Sequence, residues 1–304
     1  MVRQQNQAKL LITGVSGVLG WALGGLAARS WETFGTVFQH PVECPGVHIC
    51  RADLTDERSL GDLFTAVRPD AVVHAAALSS PECCQRYPDT SEAINVTASA
   101  NIASLCADLA IPCVFTSSDL VFDGKNPPYD ENCTANPISI YGEHKLRAET
   151  AMQSRYPSTT VCRLPLLLGL GSPATDGLLK GMLKAMENQE ELRLFTDEIR
   201  TPVTTETAAH GILLALRKAE AGTLHLGGPE RLSRWELGQA VAEVFQFDST
   251  RLVQCRQQDA VMEAPRPRDV SLDSAKTAAI GYLPRSIREQ LCFLRTKMRG
   301  TLPA

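Results

Sequence analysis

No charge of one sign dominates this chain: across 304 residues, 30 Lys and Arg stand against 34 Asp and Glu, a formal net charge of −4. Without a basic excess the chain lacks the electrostatic footprint of a nucleic-acid-binding protein, so no nucleic acid is expected as a partner. Long apolar runs are missing too. The most apolar stretch, residues 161–170, is too short to cross a bilayer and is broken by Arg163 and Pro165, so no membrane partner is expected. The opening MVRQQNQ is polar and has no signal-peptide core. The ten cysteines contain no C-x-x-C, and Cys83 and Cys84 are adjacent, which disfavours their pairing. They read as reduced packing residues of a cytoplasmic protein, and no metal site is expected. There is neither an internal repeat nor a low-complexity segment. What is present is a chain 44% hydrophobic, long enough for one large domain or two modest ones.

The order of patterns indicates an α/β chain. A short apolar run at residues 9–13 ends in a glycine turn and leads into a small-residue helix over about 18–29. Further strands are expected at 36–38, 47–50, 71–77, 113–118 and 159–164, with helices at 59–67, 91–109 and through Tyr141 and Lys145 to about 154. Strands alternating with helices predict a doubly wound parallel sheet of the Rossmann type, whose strands are buried on both faces. After Pro165 the rhythm changes. Helices are expected at 175–188, 204–218 and 233–245, the last capped by Ser233. A strand near 222–226 is expected to rejoin the main sheet, and EAPRPRDVSLD reads as an extended loop before a final helix. The expected division is a nucleotide-binding domain over 8–165 and a smaller, interleaved substrate-binding region over 166–304.

Thr13-Gly14-x-x-Gly17-x-x-Gly20 follows a strand and opens a helix, the context a dinucleotide fingerprint requires. Gly14 permits the turn, Gly17 lets the backbone approach a pyrophosphate, and Gly20 allows helix and strand to pack closely. Ser16, Val18 and Leu19 complete the cofactor-binding turn, whose free N–H groups suit phosphate. The second strand runs out at Phe38-Gln39-His40 with no carboxylate for a ribose 2′-hydroxyl, and no arginine stands beside it in the chain. The expectation is therefore NADP(H), with NAD as the other candidate, and with Gln39 and His40 near the ribose. Asp53 is read either as an acceptor for the adenine amino group or as a cap for the following helix.

Tyr141 and Lys145 are spaced i, i+4, so both share one helix face. With Ser118 at the end of the preceding strand they are the equipment for moving a hydride onto a carbonyl. The tyrosine protonates the oxygen, the lysine lowers the phenol's pKa, and the serine holds the oxygen. His74, in a buried strand beside Ala75, Ala76 and Ala77, reads as a packed, hydrogen-bonded histidine. His144 is expected on the solvent face of its helix. Arg266 and Arg268 either hold substrate phosphates or belong to a solvated loop.

Together these residues resemble an extended short-chain dehydrogenase/reductase, and more narrowly its dTDP-4-dehydrorhamnose reductase branch. SSDLVFDGKNPPYDENCTANPISIYGEHKLRAE is similar, nearly element for element, to that branch's Ser-Thr-Asp-Tyr-Val-Phe-Asp-Gly through Tyr-Gly-x-x-Lys-x-x-x-Glu. ADLTD, HAAA, Asn95 and RPRDVSLD fit as well. The resemblance implies Ser118, Tyr141 and Lys145 as the catalytic set. It places cofactor contacts on the Gly14–Gly20 turn, Asp53, Leu54, Ala75 to Ala77, Tyr141 and Lys145, and substrate contacts on Ser79, Ser118, Asp119 and Arg266. It implies reduction of a nucleotide-linked 4-keto-6-deoxy-sugar, and a homodimer. The chain departs from the branch at Leu120, where a tyrosine is usual, and at Leu166, where a tryptophan is frequent. Dehydratases of the superfamily carry Asp-Glu after the hydroxyl, whereas Asp119 is followed here by Leu120. Two other functions are compatible with the resemblance. One is a non-catalytic NADP-binding regulatory subunit like that of methionine adenosyltransferase, whose NPPY loop is similar to Asn126 to Tyr129. The other is a nucleotide-sugar epimerase.

Overall fold

Six strands of the first half and one of the second form a single parallel sheet in the computed structural model, which describes residues 7–300. The polar opening at residues 1–6 and the last four residues of the 166–304 region lie outside the described residues. The strands are β1 (Lys9–Thr13), β2 (Glu32–Val37), β3 (Val47–Arg51), β4 (Ala71–His74), β5 (Cys113–Ser118) and β6 (Thr160–Leu164), joined by Gly222–His225. Their spatial order runs from Gly222–His225 through β6, β5, β4, β1 and β2 to β3. The order reverses between β1 and β4, so the crevice beyond their carboxyl ends is the ligand-binding position of such sheets. β4, β5 and β6 are buried at every residue, as strands covered on both faces must be.

The helices are α1 (Val18–Ala27), α2 (Glu57–Val67), α3 (Pro81–Arg86), α4 (Pro88–Glu92), α5 (Ala98–Leu109), α6 (Ile140–Arg155), α7 (Leu178–Glu187), α8 (Thr205–Lys218), α9 (Arg234–Phe245), α10 (Ala275–Ala279) and α11 (Ile287–Gly300). One core lies between the sheet and α1 and α8, with Leu10, Ile12, Leu23, Val73 and Ile212 fully buried. The opposite face packs Leu11, Leu60, Ile102, Phe115 and Met152 under α2, α5 and α6. A third core, with Leu179, Leu237, Val241 and Leu291, joins α7, α9 and α11 in the second half. Ser233 caps α9 in a reciprocal box with Glu236. No described helix is long and apolar enough to cross a membrane.

Several elements differ from their sequence patterns for local reasons. The fourth strand stops at His74 because the Ala75 and Ala76 N–H groups bond the Thr13 hydroxyl, both at 3.1 Å, and leave the ladder. The helix expected from residue 175 starts at Leu178, since Thr175–Asp176 pairs back on Gly171–Ser172. α3 has a legible start that periodicity overlooked: Ser80 caps it by accepting from Cys83 N at 3.1 Å, and Pro81 occupies its first turn. Between α4 and α5 a π-helical turn, Ala93–Thr97, buries Asn95, which holds Leu78 through both N–H (2.8 Å) and C=O (3.0 Å).

Gly20 shows how closely α1 approaches β1, for a Cβ there would lie 2.1 Å from the Gly14 carbonyl oxygen. Gly20→Ala is therefore expected to cost about 1–3 kcal/mol or more. Urea denaturation reads this as a lower midpoint, and an unchanged midpoint contradicts the close approach.

Candidate active site at the carboxyl ends of the strands

The glycine turn is built for backbone proximity. Gly14 has φ +76°, and a Cβ on it would meet Ala76 Cα at 2.7 Å. The turn is tied to β2, since Gly14 N donates to Thr36 Oγ1 and Val15 N to Thr36 O, both at 3.0 Å. Ser16 is fixed through its carbonyl, which accepts from Ser172 Oγ at 2.5 Å. Gly17 stands at the N-cap of α1 and offers no capping side chain to the amides of Val18, Leu19 and Gly20. Such a helix start has donors for an anion. The residues present thus fit a dinucleotide pyrophosphate.

Phe38, Gln39 and His40 are exposed at the end of β2. Asp53 does not cap α2. Its carboxylate accepts from Thr55 N (2.9 Å) and Thr55 Oγ1 (2.6 Å), and Asp56 is the N-cap. Leu54 packs partly buried against the core under α2. Ala75, Ala76 and Ala77 follow β4 half-buried, while Ser79 is exposed.

The helix that carries Tyr141 and Lys145, α6, starts close to the turn after β5. Ser139 caps the helix, accepting from Gly142 N at 3.2 Å. A Cβ on Gly142 would lie 2.1 Å from the Leu120 carbonyl oxygen, so only glycine allows that approach. The structure thereby brings Tyr141 beside Ser118, whose hydroxyl pulls the phenol's pKa down while burial pushes it up. Burial prevails, so Tyr141 keeps its proton through neutral pH. Ser118 Oγ donates to Asp119 Oδ1 at 3.2 Å and accepts from Leu120 N at 3.2 Å. Asp119 is buried and pushed up to about 6 by that burial, against the pull of Arg200 at 3.8 Å.

Lys145 is only 2% exposed, with Nζ 4.2 Å from the Phe115 ring centroid. Burial pushes its ammonium down to about 7, and the Glu149 carboxylate opposes the fall. The effects acting on Tyr141 here are burial and Ser118, with a smaller push from Cys84 and Asp119, rather than the expected pull from Lys145.

Two residues that sequence reasoning gave no role stand against this set. Glu149, one turn beyond Lys145, accepts from Ser117 Oγ (2.5 Å) and from Arg163 Nε (3.0 Å) and Nη2 (2.7 Å). Its i, i+4, i+8 relation to Tyr141 and Lys145 was the signal available. Cys84, fully buried, donates to Leu78 O at 3.2 Å and acts electrostatically on both Tyr141 and Lys145.

The histidines divide. His74 is buried between Thr13 Oγ1 (2.7 Å) and Ser99 Oγ (2.9 Å), and burial holds it down to about 3, so it stays neutral. His144 does not face solvent. Its Nδ1 lies 2.8 Å from Ser91 Oγ and the ring is buried, because α4 and the π turn cover that side of α6.

Arg266 is partly buried and ion-paired. It donates to Glu82 at 2.5 Å and lies 3.5 Å from Glu198, at the edge of an open cleft of about 420 Å³ lined also by Arg86, Phe195, Met262 and Glu263. Glu198 is buried and faces Arg200 (3.4 Å) and Arg234 (3.6 Å) as well, which holds its carboxyl below the usual range. Arg268 is exposed. Leu120 and Leu166 are half-buried.

The family model of the RmlD substrate binding domain matches residues 8–298. Methionine adenosyltransferase 2 subunit beta of Bos taurus is 28% identical over 285 residues, spanning 91% of this chain and 84% of that protein. A Haloferax volcanii protein named "Probable low-salt glycan biosynthesis reductase Agl14" is 28% identical over 272 residues, 86% of this chain and 88% of its own. The solved dTDP-4-dehydrorhamnose reductase of Bacillus anthracis in complex with NADP matches with a TM-score of 0.85 at 20% identity, covering 96% of this chain and 99% of that one.

Lys145 yields a pH prediction. In the unfolded chain it titrates near the ordinary value of about 10.4, and in the fold near 7. Between those values the unfolded chain binds the extra proton, so the Lys145 contribution to stability rises as pH rises from about 7 to about 10. An NMR titration of ¹³C-labelled lysine is expected to show one ε-carbon with a midpoint near 7. Because Glu149 opposes the fall, Glu149→Gln is expected to move that midpoint lower. A Lys145 midpoint above 9 contradicts both statements.

Proposed function

The chain belongs to the RmlD substrate binding domain family, and from that premise we propose that it is an NAD(P)H-dependent reductase of a nucleotide-linked 4-keto-6-deoxy-sugar. The observation that carries this reading is Tyr141 set against the Ser118 hydroxyl, with Lys145 one turn further along the same helix, in a fold whose α1 starts uncapped at the glycine turn. In this reading residues 8–165 mainly hold the dinucleotide and residues 166–304 mainly the sugar nucleotide. The amides of the Gly14–Gly20 turn hold the pyrophosphate, Gln39 and His40 flank the adenosine ribose, Asp53 and Leu54 border the adenine, and Ala75 to Ala77 give the small-sided wall. Ser79, Asp119 and Arg266 border the substrate. NADP(H) is the preferred dinucleotide, because no carboxylate stands at the end of β2. The ten free thiols agree with a cytoplasmic setting.

A bound reduced nicotinamide supplies the hydride that goes to the carbonyl carbon. The protein's own part is the oxygen. Tyr141, protonated at neutral pH, gives its proton to the developing alkoxide. Ser118 Oγ, turned from Asp119, donates to the same oxygen and orients it. Lys145 stands on the Tyr141 face of α6, where its cation stabilises the phenolate left behind. Leu120 in place of a glutamate leaves no base for elimination of water, which argues against a dehydratase.

One finding favours a second reading, a dinucleotide-binding regulatory subunit. The similarity to methionine adenosyltransferase 2 subunit beta extends over nine-tenths of the chain. The two readings separate in one assay, oxidation of NADPH and NADH against a panel of nucleotide 4-keto-sugars. Tyr141→Phe is expected to lower turnover by about 10²–10⁴-fold while dinucleotide binding by fluorescence changes little. Undiminished turnover in Tyr141→Phe overturns the catalytic assignment. No turnover by the wild-type chain on any keto-sugar, with dinucleotide binding intact and an adenosyltransferase catalytic subunit captured, favours the regulatory reading.

A further inference from the structure

The end of β3 carries a charge that none of the motifs explains. Arg51 is the last residue of that strand and exposed, and its Cα lies opposite Val37, the last residue of β2. The ladder runs one step further, with Ala52 N donating to Val37 O at 3.0 Å, so the two strand ends are pinned side by side. On the same strand Val47 packs against Gly24 of α1 and Gly35 of β2, while Cys50 packs with the core under α2. Alternation therefore puts Arg51 on the α1 side of the sheet, the side on which the glycine turn opens into its helix.

The three strand ends form one surface. The glycine turn is bonded to Thr36 of β2 through Gly14 N and Val15 N, and β2 is bonded to β3 beside Arg51. Neighbouring strands are about 4.8 Å apart, so the long Arg51 side chain spans from β3 to a group held beyond the end of β2. Among the described residues no ion pair or hydrogen bond engages its guanidinium. The nearest carboxylate along the chain, Asp53, is taken up by Thr55. Phe38, Gln39 and His40 add no carboxylate, and Glu43 lies further along the loop.

A dinucleotide on a glycine turn places its adenosine ribose at the end of the second strand, where a carboxylate selects a free 2′-hydroxyl and an arginine accommodates a 2′-phosphate. We propose that Arg51 is the specificity residue that binds the 2′-phosphate of NADP(H), so that cofactor choice in this chain is made from β3 rather than from the end of β2. The geometry suits charge-assisted bonds from the guanidinium fork to phosphate oxygens. This deepens the proposed function and rests on its dinucleotide reading of the glycine turn.

The test is equilibrium binding, free of any substrate. Fluorescence titrations with NADPH and NADH compare the wild-type chain with Arg51→Met and Arg51→Lys, both at an exposed position. The dissociation constant for NADPH is expected to rise about tenfold or more in Arg51→Met, with Arg51→Lys between, while that for NADH stays unchanged. Adenosine 2′,5′-bisphosphate is expected to compete with NADPH on the wild-type chain and to lose that strength on Arg51→Met. Unchanged NADPH binding in Arg51→Met, or equal weakening of both dinucleotides, overturns the role of Arg51. A wild-type chain that binds neither dinucleotide instead overturns the reading of the glycine turn itself.

Discussion

Glu149 is buried on the inner face of α6 and accepts from Ser117 of β5 and from two nitrogens of Arg163 on β6. Three consecutive elements of the fold therefore meet on one carboxylate. Ser117 immediately precedes Ser118, and Glu149 shares its helical stripe with Lys145 and Tyr141. The bond that fixes the helix against the sheet also fixes the spacing of the hydroxyl, the phenol and the ammonium. Arg163 extends the connection, its Nη1 3.4 Å from His225 Nε2 and its guanidinium over the Phe122 ring at 5.1 Å. Removing one partner of a buried pair strands a charge at a cost of about 3–5 kcal/mol. The joint is thus hard to break and hard to slide, which is what a three-residue geometry requires.

A second joint, made of neutral groups, holds the nucleotide side. His74 stays unprotonated, so one ring nitrogen donates and the other accepts, and the pair of hydroxyls on Thr13 and Ser99 satisfies both. Thr13 Oγ1 in turn receives the N–H groups of Ala75 and Ala76, which bends the chain away from β4 and sets Ala76 against Gly14. The expected buried, hydrogen-bonded histidine is thereby the reason the glycine turn and the alanine run face each other. Lys145 contributes to keeping His74 neutral. The two joints are electrostatically connected.

What could be read in advance follows from range of interaction. The parallel α/β sheet, the glycine turn and the Tyr141–Lys145 spacing are written in local periods and in residues that only one backbone shape tolerates. The return of Gly222–His225 to the sheet beside β6 is a tertiary pairing, yet a short apolar run had nowhere else to be buried. His144 could not be placed, because its exposure depends on α4 packing across α6, and no period within α6 reports that. The capping alternative for Asp53 stayed open beside the adenine one because Asp56 offers the same chemistry three residues on, and only the backbone start of α2 separates them. Arg51 was invisible as a neighbour of the ribose site. In the chain it stands well beyond Gln39, and only the register of β3 on β2 brings it back.

The arginine cluster of the second half changes what a phosphate contact by Arg266 would entail. Arg200, Arg234 and Arg266 face Glu198, Asp119 and Glu82, three guanidinium groups against three carboxyl groups, so the cluster carries no net excess of positive charge at neutral pH. Its bonds run between the two halves of the chain, from Glu82 on α3 and Asp119 at the end of β5 to the residues around Glu198. Even so, Arg200 Nη1, Arg234 Nη1 and Arg266 Nε are buried without a hydrogen-bond partner. Buried N–H donors left unpaired cost free energy comparable to a lost hydrogen bond. A phosphate group reaching Arg266 would have to draw the guanidinium from Glu82. Any anion at this edge of the cleft would compete with Glu82 for one arginine, and the ion pairs that join the halves would be part of that competition.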